Sequence, residues 1–520
     1  MNLIVLISVA LLCVSAIFAS LKQLHMLQQN SYFPSRYLKW LGGTLSAKAL
    51  FPVLGTLFCI LLLIIGTRAA DWILLLFSLL MLFRVSAALR YRRGCVKKLV
   101  FTARIKRMVA AEALWLAVLL LLGVRYAFCF WIAVIFCFLA PLLALCGWAL
   151  TLPIEKMLAA YYIADAKKRL RANPGLTVIG ITGSYGKTGT KYILGRILNE
   201  KYNTLMTPES YNTPMGVVRT VREQLTPGTQ IFIAEMGAKK KGDIAEICRI
   251  ANPSIGLITS VGPQHLDTFG SIETIANTKL ELADHVRAKN GKVYINADNE
   301  YLKPRQGTDG YVAFGTGNTD CRLLEYSYSK DGLKLTLQKG EERFSLASRL
   351  LGAHNALNIT GAVSLALDLG VQIKDIQYAV STLKPVPHRL EMKSFLNQSL
   401  LIDDAYNSNP VGCLEAVRVL GSMGDMQKII VTPGLVELGK QEYEYNYELG
   451  RQAARYCDKI ILVGEQRSAP LRKAAEDQNF PKENLFIVPT FKSALALLQN
   501  LCDANTAVLF ENDLPDNYLK

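Results

Sequence analysis

Thr177-Val-Ile-Gly-Ile-Thr-Gly-Ser-Tyr-Gly-Lys-Thr188 is a β-branched run that empties into a glycine-rich turn, followed by an amphipathic segment reaching about Lys201. The run reads as a buried strand, and a strand feeding directly into a helix belongs in an α/β sheet. The turn makes an anion site. Gly183 and Gly186 let backbone N–H groups converge, the helix start adds partial positive charge, Lys187 adds a full one, and Thr188 offers a hydroxyl to Mg2+. The general phosphate-loop spacing wants glycine at position 181, where this chain has Ile181. The turn is a shorter form, Thr182-Gly-x-x-Gly-Lys-Thr188, and a plain strand-to-helix glycine turn would satisfy it too.

Around this stretch strands and helices alternate. Candidate strands are Thr177–Thr182, Gln230–Glu235, Ser254–Ser260 and Lys292–Asn296, with helical patterns at Lys187–Lys201, Gly242–Ile250, Ser271–Ala288 and His354–Leu369. Residues 311–349 alternate in short polar and apolar steps, which predicts a small antiparallel sheet. From about 392 the alternation restarts, with strands near Leu400–Ile402, Ile429–Thr432, Lys459–Val463, Leu485–Val488 and Ala507–Phe510. This predicts a P-loop-type doubly wound central domain at 176–391 and a Rossmann-like C-terminal domain at 392–520.

The N-terminal third is different in kind. Apolar segments occupy Met1–Ser20, Ala49–Thr67, Ala70–Phe83, Met108–Val124 and Ala127–Leu150, predicting an α-helical membrane module of about five spans at 1–153. The first basic residue, Lys22, follows the first run, which favours a retained span over a signal peptide. Residues 154–175 read as an amphipathic basic linker lying against the membrane. Charge settles both orientation and partners. Residues 1–171 hold 20 Lys/Arg against 4 Asp/Glu, and the remainder balances at 38 against 38, so the whole excess of +16 lies in the apolar third. Basic residues there report membrane orientation and not nucleic-acid binding. Residues 84–107 alone carry nine, which puts the N-terminus outside and everything after Leu150 in the cytoplasm. Glu112, inside a span, is expected to pair with Arg104 or Arg107. The eleven cysteines form no C-x-x-C pair and read as small apolar residues.

Several polar residues fall at strand ends or helix starts. Glu235 closes a buried strand before Gly237; it reads as a solvated strand end or, beside the glycine turn, as an Mg2+ ligand. His265 follows a second such strand. Lys279 alone reads as a solvated helix residue. Asn355 and Asn358, spaced i, i+3 at a helix start, suit either capping or contact with a base or ribose.

Thr182-Gly-Ser-Tyr-Gly-Lys-Thr188, Asn212-Thr-Pro-Met-Gly216, Ala234-Glu-Met-Gly-Ala238, Gly262-Pro-Gln-His-Leu266, Gly352-Ala-His-Asn355, His388-Arg-Leu-Glu391 and Asp403-Asp-Ala-Tyr-Asn-Ser-Asn-Pro410 occur in the order of the Mur ligase family. Over about 172–515 the chain resembles those members that add D-alanyl-D-alanine to a muramyl peptide. The resemblance implies an ATP-dependent amide ligase of peptidoglycan precursor synthesis that forms an acyl phosphate, in a bacterial cell membrane. It implies Gly183, Gly186 and Lys187 on the ATP phosphates, and Thr188 and Glu235 on one Mg2+. His265 would serve a second Mg2+, with Lys279 carbamylated beside it. Asn355, Asn358 and Asp404 would lie on the nucleotide, Arg389 at the transferring phosphate, and Asn212, Tyr406, Asn407 and Asn409 toward substrate. Three departures stand out: the family's soluble uridine-binding domain is replaced by the apolar module, Gly189 follows Thr188 where a hydroxyl residue is usual, and Glu511-Asn-Asp lacks a Lys-Gly-Ser run. They leave open a lipid-linked or other membrane-associated acid, as in γ-glutamyl ligation, and, in another class, a nucleotide-gated membrane scaffold.

Overall fold

The computed structural model describes residues 3–30, 32–44, 50–65, 67–94, 98–209, 211–264, 266–329, 332–385, 388–405, 410–436 and 438–512. The chain divides into two compact units at Tyr161/Tyr162.

The first unit is helical: α1 Leu3–Gln29, α2 Pro34–Thr44, α3 Leu50–Ile65, α4 Arg68–Met81, α5 Phe83–Gly94, α6 Ala103–Gly123, α7 Ala127–Phe138 and the first part of α8 Ala140–Arg171. Val9, Leu12 and Ala16 of α1 are buried with Leu74, Leu116, Phe130 and Val134, while Leu61, Ile64, Trp72, Leu76 and Leu121 face outward. An apolar exterior on an apolar core suits a lipid environment. Among the described residues three helices are long and apolar enough to cross a bilayer: Leu3–Gln29, Arg68–Tyr91 and Ala140–Arg171. The other expected spans are shorter or charged. The Ala49–Thr67 run yields the 16-residue α3, the Met108–Val124 run lies in α6 with Lys106, Arg107 and Glu112, and the last run breaks at Leu139. Among the described residues Glu112 pairs with Ser20 and not with an arginine. It is buried, accepts from Ser20 Oγ at 2.5 Å, and packs where Gly147 lets α8 approach α6; Arg107 bonds Glu155 at 2.6 Å instead.

The second unit holds two sheets. The central one has nine strands: β1 Thr177–Thr182, β2 Thr204–Met206, β3 Ile231–Glu235, β4 Ile255–Ile258, β5 Lys292–Asn296, β6 Tyr311–Gly315, β7 Cys321–Ser329, β8 Gly332–Lys339 and β9 Glu342–Ser348. Their order is β2-β3-β1-β4-β5-β6-β7-β8-β9, parallel through β7 and antiparallel from β7 to β9. The expected small antiparallel sheet is therefore the outer part of the main one. Leu323, Leu333, Leu335, Leu337 and Leu346 form one apolar face that needs cover, and they share a core with Ile359 and Val363. The helices are α9 Lys187–Leu198, α10 Pro214–Gln224, α11 Asp243–Ala251, α12 Leu266–Phe269, α13 Ile272–Arg287, α14 Ala353–Asp368 and α15 Ile373–Ser381.

The second sheet comprises β10 Glu391–Ser394, β11 Leu400–Asp404, β12 Gln427–Thr432, β13 Lys459–Val463, β14 Leu485–Val488 and β15 Thr506–Glu511, ordered β10-β11-β15-β12-β13-β14. All pairs are parallel except β10 with β11. Around it lie α16 Pro410–Gly421, α17 Glu442–Tyr456, α18 Ala469–Asp477 and α19 Phe491–Leu501. The expected amphipathic linker is no separate element. It continues α8 to Arg171, and its last turns join the central domain: Ala166 is buried with Val178, Val217 and Val221, and Arg222 Nε donates to Asp165 at 2.7 Å.

Candidate active site

β1 lies between β3 and β4, so the loops leaving the C-terminal ends of these strands converge on one crevice. The glycine turn fills its centre. Gly183 has φ 152°, and a Cβ there would fall 2.0 Å from Thr259 Oγ1; Gly186 has φ 79°, and a Cβ would fall 2.6 Å from Asn358 Oδ1. Only glycine fits either position. The loop after β4 grips the turn from the other side. Ser184 N donates to Ser260 O at 2.7 Å, Ser184 Oγ to Gly262 O at 3.0 Å, and Tyr185 Oη to Pro263 O at 2.7 Å.

Lys187 opens α9 and folds back over the turn, donating to the Gly183 and Ser184 carbonyls at 2.6 and 3.0 Å. Burial pushes its ammonium down to about 8, against the pull of Glu235 and with a further push from Arg389. An anion arriving at the turn would reverse that shift. Thr188 Oγ1 donates to Glu235 Oε1 at 3.0 Å, and both side chains are buried. A hydroxyl and a carboxylate oxygen at a helix start form an oxygen-only pair of the kind Mg2+ takes.

Glu235 is held unevenly: Oε1 accepts two hydrogen bonds, while the buried Oε2 has only an ion pair and no hydrogen bond. Asn212 Nδ2 donates to its Oε1 at 3.2 Å, Lys191 Nζ lies 3.0 Å from its Oε2, and its backbone N–H donates to Thr207 Oγ1 at 3.1 Å. Asn212, expected on the substrate, thus holds the carboxylate. Lys279 is buried at 3% exposure, and among the described residues it forms no ion pair with a carboxylate. Burial first, and then the charge of Lys187, hold its amine far below the usual lysine range. A solvated helix lysine would show neither feature.

Asn355 and Asn358 reach the turn from α14. Asn358 lies against Gly186, and both asparagines line the open face of Gly189, where a larger residue would reduce the space. Asn355 does not cap its helix. Its Nδ2 donates to Leu351 O at 2.6 Å, and the free N–H of Ala353 is taken by Glu415 Oε1 of α16 at 2.7 Å. That carboxylate links a helix of the second sheet to the start of α14, which faces the glycine turn.

Arg389 is placed by an unusual stretch of backbone. Its neighbours His388 and Leu390 have φ 60° and 45°. Non-glycine residues hold such conformations only where their surroundings fix them. Here His388 Nδ1 meets Asp403 Oδ2 at 2.8 Å, His388 N donates to Glu391 at 3.0 Å, and Leu390 N donates to Asp404 Oδ1 at 3.0 Å. His388, Glu391 and Asp403 come close enough to suggest a metal cluster, but Lys393 Nζ already lies 2.9 Å from Asp403 and 2.7 Å from Glu391. The group is a clamp of hydrogen bonds and ion pairs on either side of Arg389; burial lowers Lys187 and Lys191 most, and the Arg389 charge lowers both further. Burial pushes Asp404 up to about 6, with Arg389 and Leu390 N–H opposing.

Lys187, Thr188, Glu235, Lys279, Asn355, Asn358 and Arg389 thus converge on the glycine turn, with Asp404 behind Arg389. His265, Tyr406, Asn407 and Asn409 lie outside the described residues. Sequence reasoning missed Lys191 and Glu415. The one available signal for Lys191 was its i+4 spacing from Lys187 on the same helix face.

Comparison with known proteins agrees with this arrangement. Residues 181–366 match the Mur ligase middle domain, and residues 388–511 match the Mur ligase, glutamate ligase domain. The UDP-N-acetylmuramoyl-tripeptide–D-alanyl-D-alanine ligase of Bacillus subtilis is 32% identical over 291 residues, covering 56% of this chain and 62% of that protein. The corresponding Escherichia coli ligase is 29% identical over 316 residues, 60% of this chain and 69% of its own length. The chain therefore spans less than two thirds of the Bacillus subtilis relative. A crystal structure of MurF from Acinetobacter baumannii superposes with a TM-score of 0.62 at 28% identity, over 68% of this chain and 77% of that one. With both domains matched and the residues of their crevice assembled, the chain belongs to the Mur ligase family.

Proposed function

We propose that this chain is an ATP-dependent, ADP-forming amide ligase that joins the carboxylate of a muramyl tripeptide to the amine of D-Ala-D-Ala, at the cytoplasmic face of a bacterial membrane. The observation that carries this reading is the Thr188–Glu235 oxygen pair beside Lys187, whose charge also reaches a buried, depressed Lys279. Gly183, Gly186 and Lys187 hold the phosphates of ATP. Thr188 and Glu235 hold one Mg2+, which screens the repulsion between the attacking carboxylate and the γ-phosphate when bound. His265 is assigned to a second Mg2+. Lys279, with its amine shifted toward the neutral nucleophile, would add to CO2 and release a proton, and the carbamate would supply an anion as a further oxygen donor for a cation.

Attack of the carboxylate oxygen on the γ-phosphorus expels ADP and leaves an acyl phosphate. The amine then attacks the acyl carbon, phosphate departs, and the ammonium proton is lost. Arg389 neutralises charge on the transferring phosphoryl group. Asn355, Asn358 and Asp404 serve the nucleotide, and Tyr406, Asn407 and Asn409 the incoming amine.

A second reading keeps this chemistry but takes a lipid-linked acid. It is favoured by the apolar-surfaced helical unit at 1–161, which lies outside both family matches. Membrane vesicles carrying the protein, given ATP, labelled D-Ala-D-Ala and either a nucleotide-linked or a lipid-linked tripeptide, separate the two. Soluble labelled product is expected, and label confined to the lipid fraction selects the second reading. Lys187→Ala and Glu235→Ala should each lower ADP release at least about a hundredfold while the protein still accumulates in membranes. Normal turnover by Lys187→Ala would remove the ATP-site assignment.

A further inference from the structure

Lys191 lies one turn beyond Lys187 on α9 and is fully buried, at 0% exposure. A buried ammonium persists where its charge is met. This one is met twice, by Glu235 Oε2 at 3.0 Å and by the backbone carbonyl of Glu209 at 2.5 Å. No other Lys or Arg among the described residues forms an ion pair with Glu235. The other carboxylate oxygen is occupied by Thr188 Oγ1 and Asn212 Nδ2. Glu209 itself has φ 41° and introduces the segment carrying Asn212. One ammonium therefore ties together the phosphate-loop helix, the end of β3 and the 207–212 segment.

We propose that Lys191 is a positioning residue that makes divalent-cation binding at Thr188–Glu235 conditional on nucleotide. This rests on the reading of that pair as the Mg2+ site. Without nucleotide, the single carboxylate is already neutralised by Lys191, and the Lys187 ammonium stands one helical turn away. A divalent cation approaching the pair meets two positive charges and one spent negative charge. Nucleotide phosphates supply the missing negative charge and further oxygen ligands, so cation and nucleotide enter together. Oε2, buried and without a hydrogen bond, has the Lys191 ammonium as its one charged partner among the described residues.

The test is Mn2+ binding to the full-length chain in detergent, followed by electron paramagnetic resonance with and without ADP, with metal-free ADP binding as a check of folding. Wild type and Lys191→Arg should take up Mn2+ strongly only with ADP. Lys191→Met should bind Mn2+ without ADP about tenfold or more tightly than wild type, because Glu235 is left uncompensated. Its dependence on ADP should shrink correspondingly. A gain of binding does not arise from a damaged fold. Lys191→Gln, which loses the charge but keeps a donor for Glu209, should give the same gain and keeps the measurement readable where the methionine variant fails to fold. Nucleotide-free Mn2+ affinity equal to wild type in both neutral variants overturns the proposal, while Mn2+ uptake by wild type with ADP leaves the Mg2+ site standing. A wild-type chain that takes up no Mn2+ even with ADP overturns both.

Discussion

Among single residues, the crevice contains charges that the fold holds away from their ordinary states, and Asp404 makes the consequence measurable. Burial raises its carboxyl to about 6. Below the unfolded value near 3.8 the group is protonated in both states and costs nothing. As pH rises from there through 6, the unfolded carboxyl ionises freely while the folded one resists, so its contribution to stability falls and stays low above pH 6. Asp404→Asn keeps an acceptor for Leu390 N–H without that penalty. Its stability should equal wild type near pH 3.5 and exceed it by about 1–3 kcal/mol at pH 7, read by denaturant unfolding of the second unit's signal. ADP affinity should fall, since the proposed nucleotide contact loses its charge. Not all of this was legible in the sequence. Lys187, Thr188 and Glu235 could be read because glycine spacing and strand ends constrain them directly. Lys191 and Lys279 could not, because a lysine in an amphipathic helix pattern looks solvated until the opposing strand ends are placed. Asn212 was expected toward substrate, and its motif gives no hint that the side chain also turns back onto Glu235.

The elements show the reverse balance. β1, β5 and β13 begin and end where the apolar runs place them, because buried parallel strands are continuous β-branched and aliphatic runs, and the half-buried edge strand β14 does so too. The antiparallel strands β7–β9 were recognised, but their membership of the main sheet was not. Alternation reports which face is buried, not which strand edge supplies the backbone partner. α14 is the element on which the site depends most. It covers those outer strands, presents Asn355 and Asn358 to the glycine turn, and takes its N-terminal cap from Glu415. The turn and α14 should therefore fail together. Gly186→Ala places a side chain at φ 79° and a Cβ 2.6 Å from Asn358 Oδ1. The backbone conformation alone costs about 1–2 kcal/mol. ADP affinity should drop about tenfold or more with unchanged far-ultraviolet circular dichroism. Gly175→Ala, where a Cβ meets nothing within 4 Å, should match wild type in both measurements.

For the whole molecule, the question is where one compact unit ends and the next begins. Composition puts the change near 153, where the apolar runs stop, and assigns 154–175 to a membrane-surface linker. The helix ignores that change and runs unbroken from Ala140 to Arg171, while the packing changes at Tyr161/Tyr162. A periodicity argument cannot find such a boundary, because one amphipathic pattern serves two different neighbours in succession. Beyond it, Tyr162, Ile163, Ala166 and Leu170 pack with Val178, Val217 and Val221, Arg222 lies 4.1 Å over the Tyr162 ring, and Asp165 bonds Arg222 at 2.7 Å. The Arg222 hydrogen bond holds the Asp165 carboxyl below its usual range, but the pair is only half-buried and screened by water, so the apolar contacts carry most of the stability. Covering those side chains is worth about 2–5 kcal/mol. A fragment beginning at Tyr162 should be soluble and bind ADP as the full chain does. One beginning at Leu176 should melt about 5–10 °C lower and expose the Val217–Val221 face of α10, giving concentration-dependent aggregation in light scattering. Equal melting of the two fragments would return the stretch before Leu176 to a linker, with the last turns of α8 contributing nothing to the second unit.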